Sequence, residues 1–525
     1  MLDNLERWSL ENPAKPAVWE EDASTPVTYA DLHRRSAQVA QWLVSLGLPA
    51  GGSIAMLMEN RAEFYALCWG ARRAGLYYTT ISAQLKPAEI AYVMTDCGAT
   101  LLVSTPKLAA LAREVVAGSG WAGRVFMLDD EGPAETSVSA QLARFDPATP
   151  LAQRPVGREF LYSSGTSGKP KGIRRPMIAF EDRFKEAYDF AAWRDTYRVT
   201  RDSIYLSPAP LYHAAPKRFT NRMIEIGGTV VVMKRFDAEK ALALVERHKA
   251  THSQWVPTMM IRMLALPEAV RCRYDLSSMR MFIHAAAPCP PDVKRRCIEW
   301  WGPVVIEYYG GSESIGLTAL YSDEALQRPG SVGRPVLGTV HIVGDGGEEL
   351  PAGQQGAIYF SGTPRFEYHN DPVKTAAAYD AQGRATYGDI GHVDADGYLY
   401  ISGRRTDLIL SGGVNIYPQE IENLLAGHAD VRDVAVIGVP HAEFGEEVKA
   451  VIELNDPQAA SDELAQALMA FCREHIAHLK CPRSVDFVAQ LPRQENGKLY
   501  KRVLMERYAQ GIQAPAACAL NASAT

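Results

Sequence analysis

Short apolar runs alternate with amphipathic segments all along the first hundred residues, and that rhythm restricts the chain to an α/β architecture. Thr28-Tyr-Ala-Asp31 has the hydroxyl and acid spacing of a helix start, with Leu32, Val39, Leu43 and Leu46 on one face and Gly47 as a stop. An apolar strand over 54–58 follows, then a helix over 63–74, a strand over 77–81, a helix over 87–95 and a strand over 100–104. The same rhythm returns at 229–233, 238–248 and 253–256, which predicts a second sheet. After Gly403 it changes to strands near 433–439 and 448–454 and a helix over 462–477, the pattern of a small α+β unit. The expected architecture is α/β: a large N-terminal domain of stacked α/β sheet subdomains over 1–403, then a small, mobile α+β C-terminal domain over 409–508. A polar hinge over 404–408 joins them, and a low-complexity tail over 509–525 is expected to be disordered. A length of 525 residues, which suggests three or four structural units, fits this division.

The segment YSSGTSGKPKG at 162–172 brings small hydroxylated residues, three glycines and two lysines together. Glycines let backbone N–H groups approach phosphate oxygens, hydroxyls add neutral donors, and Lys169 and Lys171 add charge, so the string suits a polyanion. It is not a P-loop. The first glycine of that motif is replaced by Ser163, and Lys169 is followed by Pro170 rather than Ser or Thr.

Four further motifs follow: YYGGSESIG at 308–316, YGD at 387–389, GRRTDLILSGGVNIYPQEIE at 403–422 and PRQENGKLYKR at 492–502. A nucleophile elbow is absent from the second of the five, because Ser312 and Ser314 lack flanking glycines in the required register. In this order and spacing the five motifs resemble the adenylate-forming superfamily of acyl-CoA synthetases, aryl-CoA ligases, luciferases and peptide-synthetase adenylation domains, over about residues 10–508.

The resemblance implies a two-step reaction using ATP, Mg²⁺ and coenzyme A. Ser163, Ser164, Gly165, Thr166, Ser167, Gly168 and Lys171 match residues that cradle the phosphates, and Thr166 and Glu313 match the magnesium-side residues. Tyr309, before Gly310, Gly311 and Ser312, matches the adenine-stacking position. Asp389, assisted by Arg404, matches the acid that holds the ribose hydroxyls, although Tyr387 stands where relatives have Thr. Lys498 matches the catalytic lysine delivered by the small domain. For the second half-reaction that domain rotates about a position matching Thr406, where Asp or Lys is usual. Rotation would bring Gly412 and Gly413 to the acyl group and leave Phe444, Lys480 and Arg483 facing CoA. His213 matches a gate beside the acyl pocket, and Trp255, Ala285, Ala286 and Gly311 match its lining. Lys217 and Arg218, where relatives are often apolar, would either meet a polar group at the far end of the substrate or face solvent. The solvated face is the expectation.

The expected function is therefore an ATP-dependent acyl-CoA synthetase for a hydrophobic acid. The alternatives are an aryl-CoA ligase for benzoate- or cinnamate-type acids, an enzyme that loads a separate carrier protein, and, from another class, a nucleotide-binding protein without catalysis. The net charge of −6 offers no basic surplus for nucleic acid. No apolar run reaches the length of a membrane span, the N-terminus lacks a signal-peptide core, and eight cysteines without a C-x-x-C pair predict no disulfide framework. A cytoplasmic protein acting on small molecules is expected, with a homodimer left open.

Overall fold

The computed structural model describes residues 4–129, 133–151, 153–163, 170–185, 187, 189–411, 414–441, 444–493, 497 and 499–509, with Ser163 and Asn415 described by backbone alone. Four parallel strands form the first sheet, in the order Tyr77–Thr80, Ser53–Leu57, Ala99–Ser104, Arg124–Met127. Every residue of Ser53–Leu57 is buried, as an apolar central strand of a parallel sheet must be. Helix Tyr29–Ser45 starts in the expected capping box, with the Thr28 hydroxyl accepting from Asp31 N–H. It packs on Glu63–Arg73 at Gly70, where any side chain would run into Val39.

The second sheet has nine strands, ordered Arg334–Leu337, Leu317–Tyr321, Val305–Gly310, Met281–His284, His252–Trp255, Ile204–Ser207, Thr229–Val232, Pro16–Glu20, Val27–Thr28. The strand expected over 253–256 starts one residue earlier and ends at Trp255. Val256 instead caps the Pro257–Leu264 helix, since a residue preceding proline is disfavoured in helical conformation. Sequence periodicity did not reveal Pro16–Glu20. This short strand pairs in parallel with Thr229–Val232, Val18 opposite Val230, and ties the start of the chain to the second sheet.

An antiparallel sheet of Thr339–Val343, Gly356–Ser361, Asp389–Val393 and Leu399–Arg404 closes the large part. A 3-10 turn, Arg405–Asp407, then leads to Ile409–Ser411, the first strand of a separate five-stranded sheet. That sheet pairs Val431–His441 with Gly445–Leu454 along ten residues. Helices Pro418–Leu425 and Asp462–His475 cover one face around a core of Ile409, Ile421, Val436, Ile452 and Leu468, and helix Lys501–Ala509 covers the other, where Leu504 packs with Ala435, Ile437 and Val451. The helix expected to reach residue 477 stops at His475, because Ile476 is extended. The fold is thus a large α/β region of stacked sheets followed by a small α+β unit. Among the described residues no helix is long and apolar enough to cross a membrane, and the seven described cysteines are free thiols.

Candidate active site

The C-terminal ends of the second sheet's parallel strands define one rim of the site. Val305–Gly310 delivers Tyr309 there, and the Tyr309 hydroxyl donates to Asp389 Oδ2 at 2.6 Å. Asp389 lies opposite Arg404 across an antiparallel register, with Arg404 Nε 3.3 Å from Asp389 Oδ1. Burial, and then the Asp389 carboxylate, hold the Tyr309 phenol well above its ordinary pKa, so it remains a donor. Tyr387, the residue that departs from the family pattern, packs edge-on against Tyr309 with ring centroids 5.6 Å apart. Its hydroxyl donates to Gly316 O at 2.9 Å and accepts from Ile315 N–H at 3.1 Å. A side chain at Gly311 would strike the Tyr387 ring, so the glycine and the departure from Thr go together.

The strands Phe160–Ser163 and Lys171–Arg174 pair antiparallel on either side of the phosphate-type loop. Ser164, Gly165, Thr166, Ser167 and Gly168 lie outside the described residues, as does the Ser163 side chain. Lys171 is part-buried, with its ammonium 4.8 Å from the centre of the Tyr368 ring. Partial burial lowers its pKa, and Glu313 opposes that shift. The Tyr368 hydroxyl in turn donates to Glu313 Oε1 at 2.8 Å. Tyr368 therefore joins the lysine and the acid, a role the sequence reading missed. Its signal was an aromatic in the otherwise polar run EYHND.

His213, which the resemblance assigns to the acyl gate, caps helix Ala214–Glu225 through its backbone, and its ring lies 4.4 Å from that of Tyr212. Phe219 on this helix packs against Tyr205 and Tyr308, with ring centroids 5.9 Å and 6.1 Å away, and against Tyr197 at 5.0 Å. The solvated placement expected for Lys217 and Arg218 is overturned. Lys217 is 1% exposed, donates to Thr80 Oγ1 at 2.9 Å and lies 4.0 Å from Glu159 Oε2. Arg218 pairs with Glu159 Oε1 and donates to Ser314 Oγ and Ser312 O, both at 3.1 Å. Their partners stand 58 or more residues away in sequence, which helical periodicity cannot report. Burial alone would raise the Glu159 pKa, but Arg218, Lys217 and Arg175 outweigh it and bring it down to about 2.

Trp255 also needs correcting. It is fully buried and stacks on Phe282 at 5.4 Å, on the sheet face covered by helices Ala238–His248, Pro257–Leu264 and Pro291–Trp301. Its neighbour Gln254 takes the other face and donates to the Tyr308 hydroxyl at 2.6 Å, as strand alternation requires. Trp255 therefore lies on the opposite face of the sheet from Phe219 and Tyr308. Ala285 is buried, and Ala286 holds φ at 77°, a conformation that favours glycine.

The small unit reaches this rim through the loop around Gly497. Arg493 grips Asp433 with Nε and Nη2 and donates from Nη1 to Gly497 O at 2.7 Å. Gly497 has φ 75°, and a Cβ there would lie 2.9 Å from Thr258 Oγ1, just beyond Trp255. The loop is thus braced on the large part, although Lys498 itself lies outside the described residues. On the small unit's own surface, the Phe444 ring stacks with His441 at 4.8 Å and lies 4.2 Å from the Arg483 guanidinium. Lys480 is paired with Glu420 at 2.7 Å. Gly412 and Gly413 lie outside the described residues, between exposed Leu410 and Val414.

A two-part fold with a tyrosine–aspartate–arginine cluster, an acid and a lysine joined through Tyr368, and a small unit whose Gly497 loop meets Thr258 is that of an adenylate-forming enzyme. The profile of the AMP-binding enzyme family matches residues 5–366, and that of the AMP-binding enzyme C-terminal domain matches 420–498. A long-chain-fatty-acid–CoA ligase of Mycobacterium tuberculosis is 31% identical over 503 residues, 95% of this chain and 96% of the relative. A feruloyl-CoA synthase of an Amycolatopsis species is 32% identical over 495 residues, covering 92% and 94%. The crystal structure of ATP-bound MatB from Rhodopseudomonas palustris superposes with a TM-score of 0.84 at 30% identity, over 97% of this chain and 99% of that one. The apo form of the same protein gives 0.73. The chain belongs to the AMP-binding enzyme family. It is an AMP-forming acid–thiol ligase, and its arrangement is nearer to the ATP-bound relative than to the apo one.

Proposed function

We propose that the protein is an ATP-dependent acyl-CoA synthetase for a hydrophobic acid, fatty, arylalkyl or alicyclic, forming acyl-AMP and pyrophosphate, then acyl-CoA and AMP. The observation that carries this reading is the meeting of the Tyr309–Asp389–Arg404 cluster, the Glu313–Tyr368–Lys171 set and the Gly497 loop at one rim. Adenylation must bring a carboxylate to the α-phosphorus of ATP against charge repulsion, so cations and fixed donors are required. In this reading Tyr309 stacks on adenine, Asp389 accepts from the ribose hydroxyls with Arg404 beside it, and Lys171 and the 163–168 loop take the outer phosphates. Lys498, carried by the braced loop, takes the α-phosphate and the acid carboxylate. Glu313 suits Mg²⁺ as a single protein ligand, because one of its oxygens is already steered by Tyr368 and Mg²⁺ keeps waters and phosphate oxygens rather than a protein cage. When bound, the ion offsets phosphate charge.

For the thiol step the 404–408 segment, with Thr406, serves as hinge. Gly412 and Gly413 then leave room for the pantetheine arm, and the Phe444–Arg483 stack takes the CoA adenine, with Lys480 near its phosphates. An apolar acid is favoured because the helix that starts after His213 carries Phe219 packed on Tyr205 and Tyr308, while the cations Lys217 and Arg218 are already engaged by Glu159. One observation favours an aryl acid with a phenolic hydroxyl as second reading: Gln254 Oε1, buried beside Tyr308, accepts from no described residue.

A panel of carboxylic acids with ATP and CoA tests the reading. AMP and pyrophosphate should appear together with acyl-CoA, and Lys498→Ala should slow adenylation by roughly 10²–10³-fold. Stoichiometric ADP and phosphate would sink it.

A further inference from the structure

We propose that Arg218 is a positioning residue that holds the 311–316 loop, and with it Glu313, in register with the acyl-side helix and the phosphate-side hairpin. One guanidinium binds three chain segments: Nε to Glu159, the residue before strand Phe160–Ser163; Nη1 to Ser314 Oγ; and Nη2 to Ser312 O. The two loop contacts bracket Glu313. Ser314 is held at φ 55°, the left-handed region that a non-glycine residue adopts only when its surroundings impose it. Tyr387 pins the far end of the same loop at Ile315 and Gly316, and Tyr368 steers Glu313 itself. Arg218 therefore links this loop to helix Ala214–Glu225, which starts immediately after His213.

Arginine suits the task, because its planar fork addresses three acceptors in fixed directions, whereas lysine offers a single point. Arg218 thus contacts neither the acid nor ATP in this assignment.

This inference rests on the proposed adenylation reading, and the test separates the two. Arg218→Lys and Arg218→Met are made with and without Ser314→Gly. ATP affinity is read by calorimetry without turnover, and acid-dependent pyrophosphate exchange is read across the acid panel. ATP affinity and exchange should fall by about 10–100-fold, the scale for groups that orient a ligand-bearing side chain. The ranking of acids should stay unchanged. Ser314→Gly should recover several-fold of the loss, since glycine reaches φ 55° without the steric cost that serine meets there. If Arg218→Met fails to fold, Arg218→Lys carries the test, because it keeps a cation opposite Glu159.

Wild-type ATP affinity in both variants would overturn the proposal, as would a reordered acid ranking or no recovery with Ser314→Gly. If the wild type exchanges pyrophosphate with no acid, the function reading fails instead, and calorimetry still decides the role of Arg218.

Discussion

Tyr368 and Glu313 share a 2.8 Å hydrogen bond in which the phenol donates to the carboxylate, although the two residues lie 55 positions apart. Burial, and then Glu313, push the phenol's pKa up, so it stays protonated. The ring also lies under the Lys171 ammonium, and one tyrosine sets the spacing between an acid and a cation from different elements. Tyr368→Phe keeps the ring and loses the hydrogen bond. A bond to a charged acceptor is worth about 1.5–3 kcal/mol, so pyrophosphate exchange should fall roughly 10–100-fold with little change in thermal midpoint. Unchanged exchange would show that Glu313 needs no orientation.

Gly497→Val tests the brace between the small unit and the large part. A Cβ at this position would crowd Thr258 Oγ1, and φ 75° disfavours a β-branched residue. Adenylation should drop on the order of 10²-fold, the scale of a misplacement of about 1 Å. Thioester formation from supplied acyl-adenylate should continue, because in the proposed second conformation this loop has left Thr258. Equal loss in both half-reactions would argue against two conformations.

Lys217→Met removes a buried cation that touches Thr80 and faces Glu159. Arg218 remains opposite the acid, so the loss of stability should be about 1–3 kcal/mol, less than for an abandoned buried charge. The acid panel should keep its order, as read by CoA-dependent AMP formation. A shift toward or away from polar-ended acids would place Lys217 in contact with substrate.

The pH dependence of stability should carry the mark of Glu159. Burial acts to raise its pKa, yet Arg218, Lys217 and Arg175 prevail and bring it from 4.5 to about 2. A carboxylate lowered in this way contributes stability in full above its unfolded pKa and loses it as pH falls through the folded one. That window, about pH 4.5 down to 2, corresponds to roughly 3 kcal/mol. Denaturant midpoints of the wild type should decline through the window, and Glu159→Gln should show a shallower decline. Parallel curves would mean that the acid is not held by its cations.

Sequence alone determined the α/β class, the change to a small α+β unit after Gly403, and the presence of a nucleotide site. These rest on short-range features: apolar periodicity, capping residues such as Thr28 and Asp31, and glycine-rich strings whose backbone geometry is local. Tyr309, Asp389 and Glu313 could be named as candidates because each sits in a contiguous motif; the structure places Tyr309 and Asp389 at strand ends and Glu313 in the loop between Val305–Gly310 and Leu317–Tyr321. Only the tertiary structure decided that Lys217 and Arg218 turn inward onto Thr80 and Glu159, that Trp255 faces the side of its sheet covered by Pro257–Leu264 and Pro291–Trp301, and that Tyr368 and Tyr387 hold the 311–316 loop. It also decided that Pro16–Glu20 pairs with Thr229–Val232. The physical reason is common to all of them: a side chain's partner across tens or hundreds of residues is chosen by packing and charge pairing in the folded interior, and neither leaves a period in the chain.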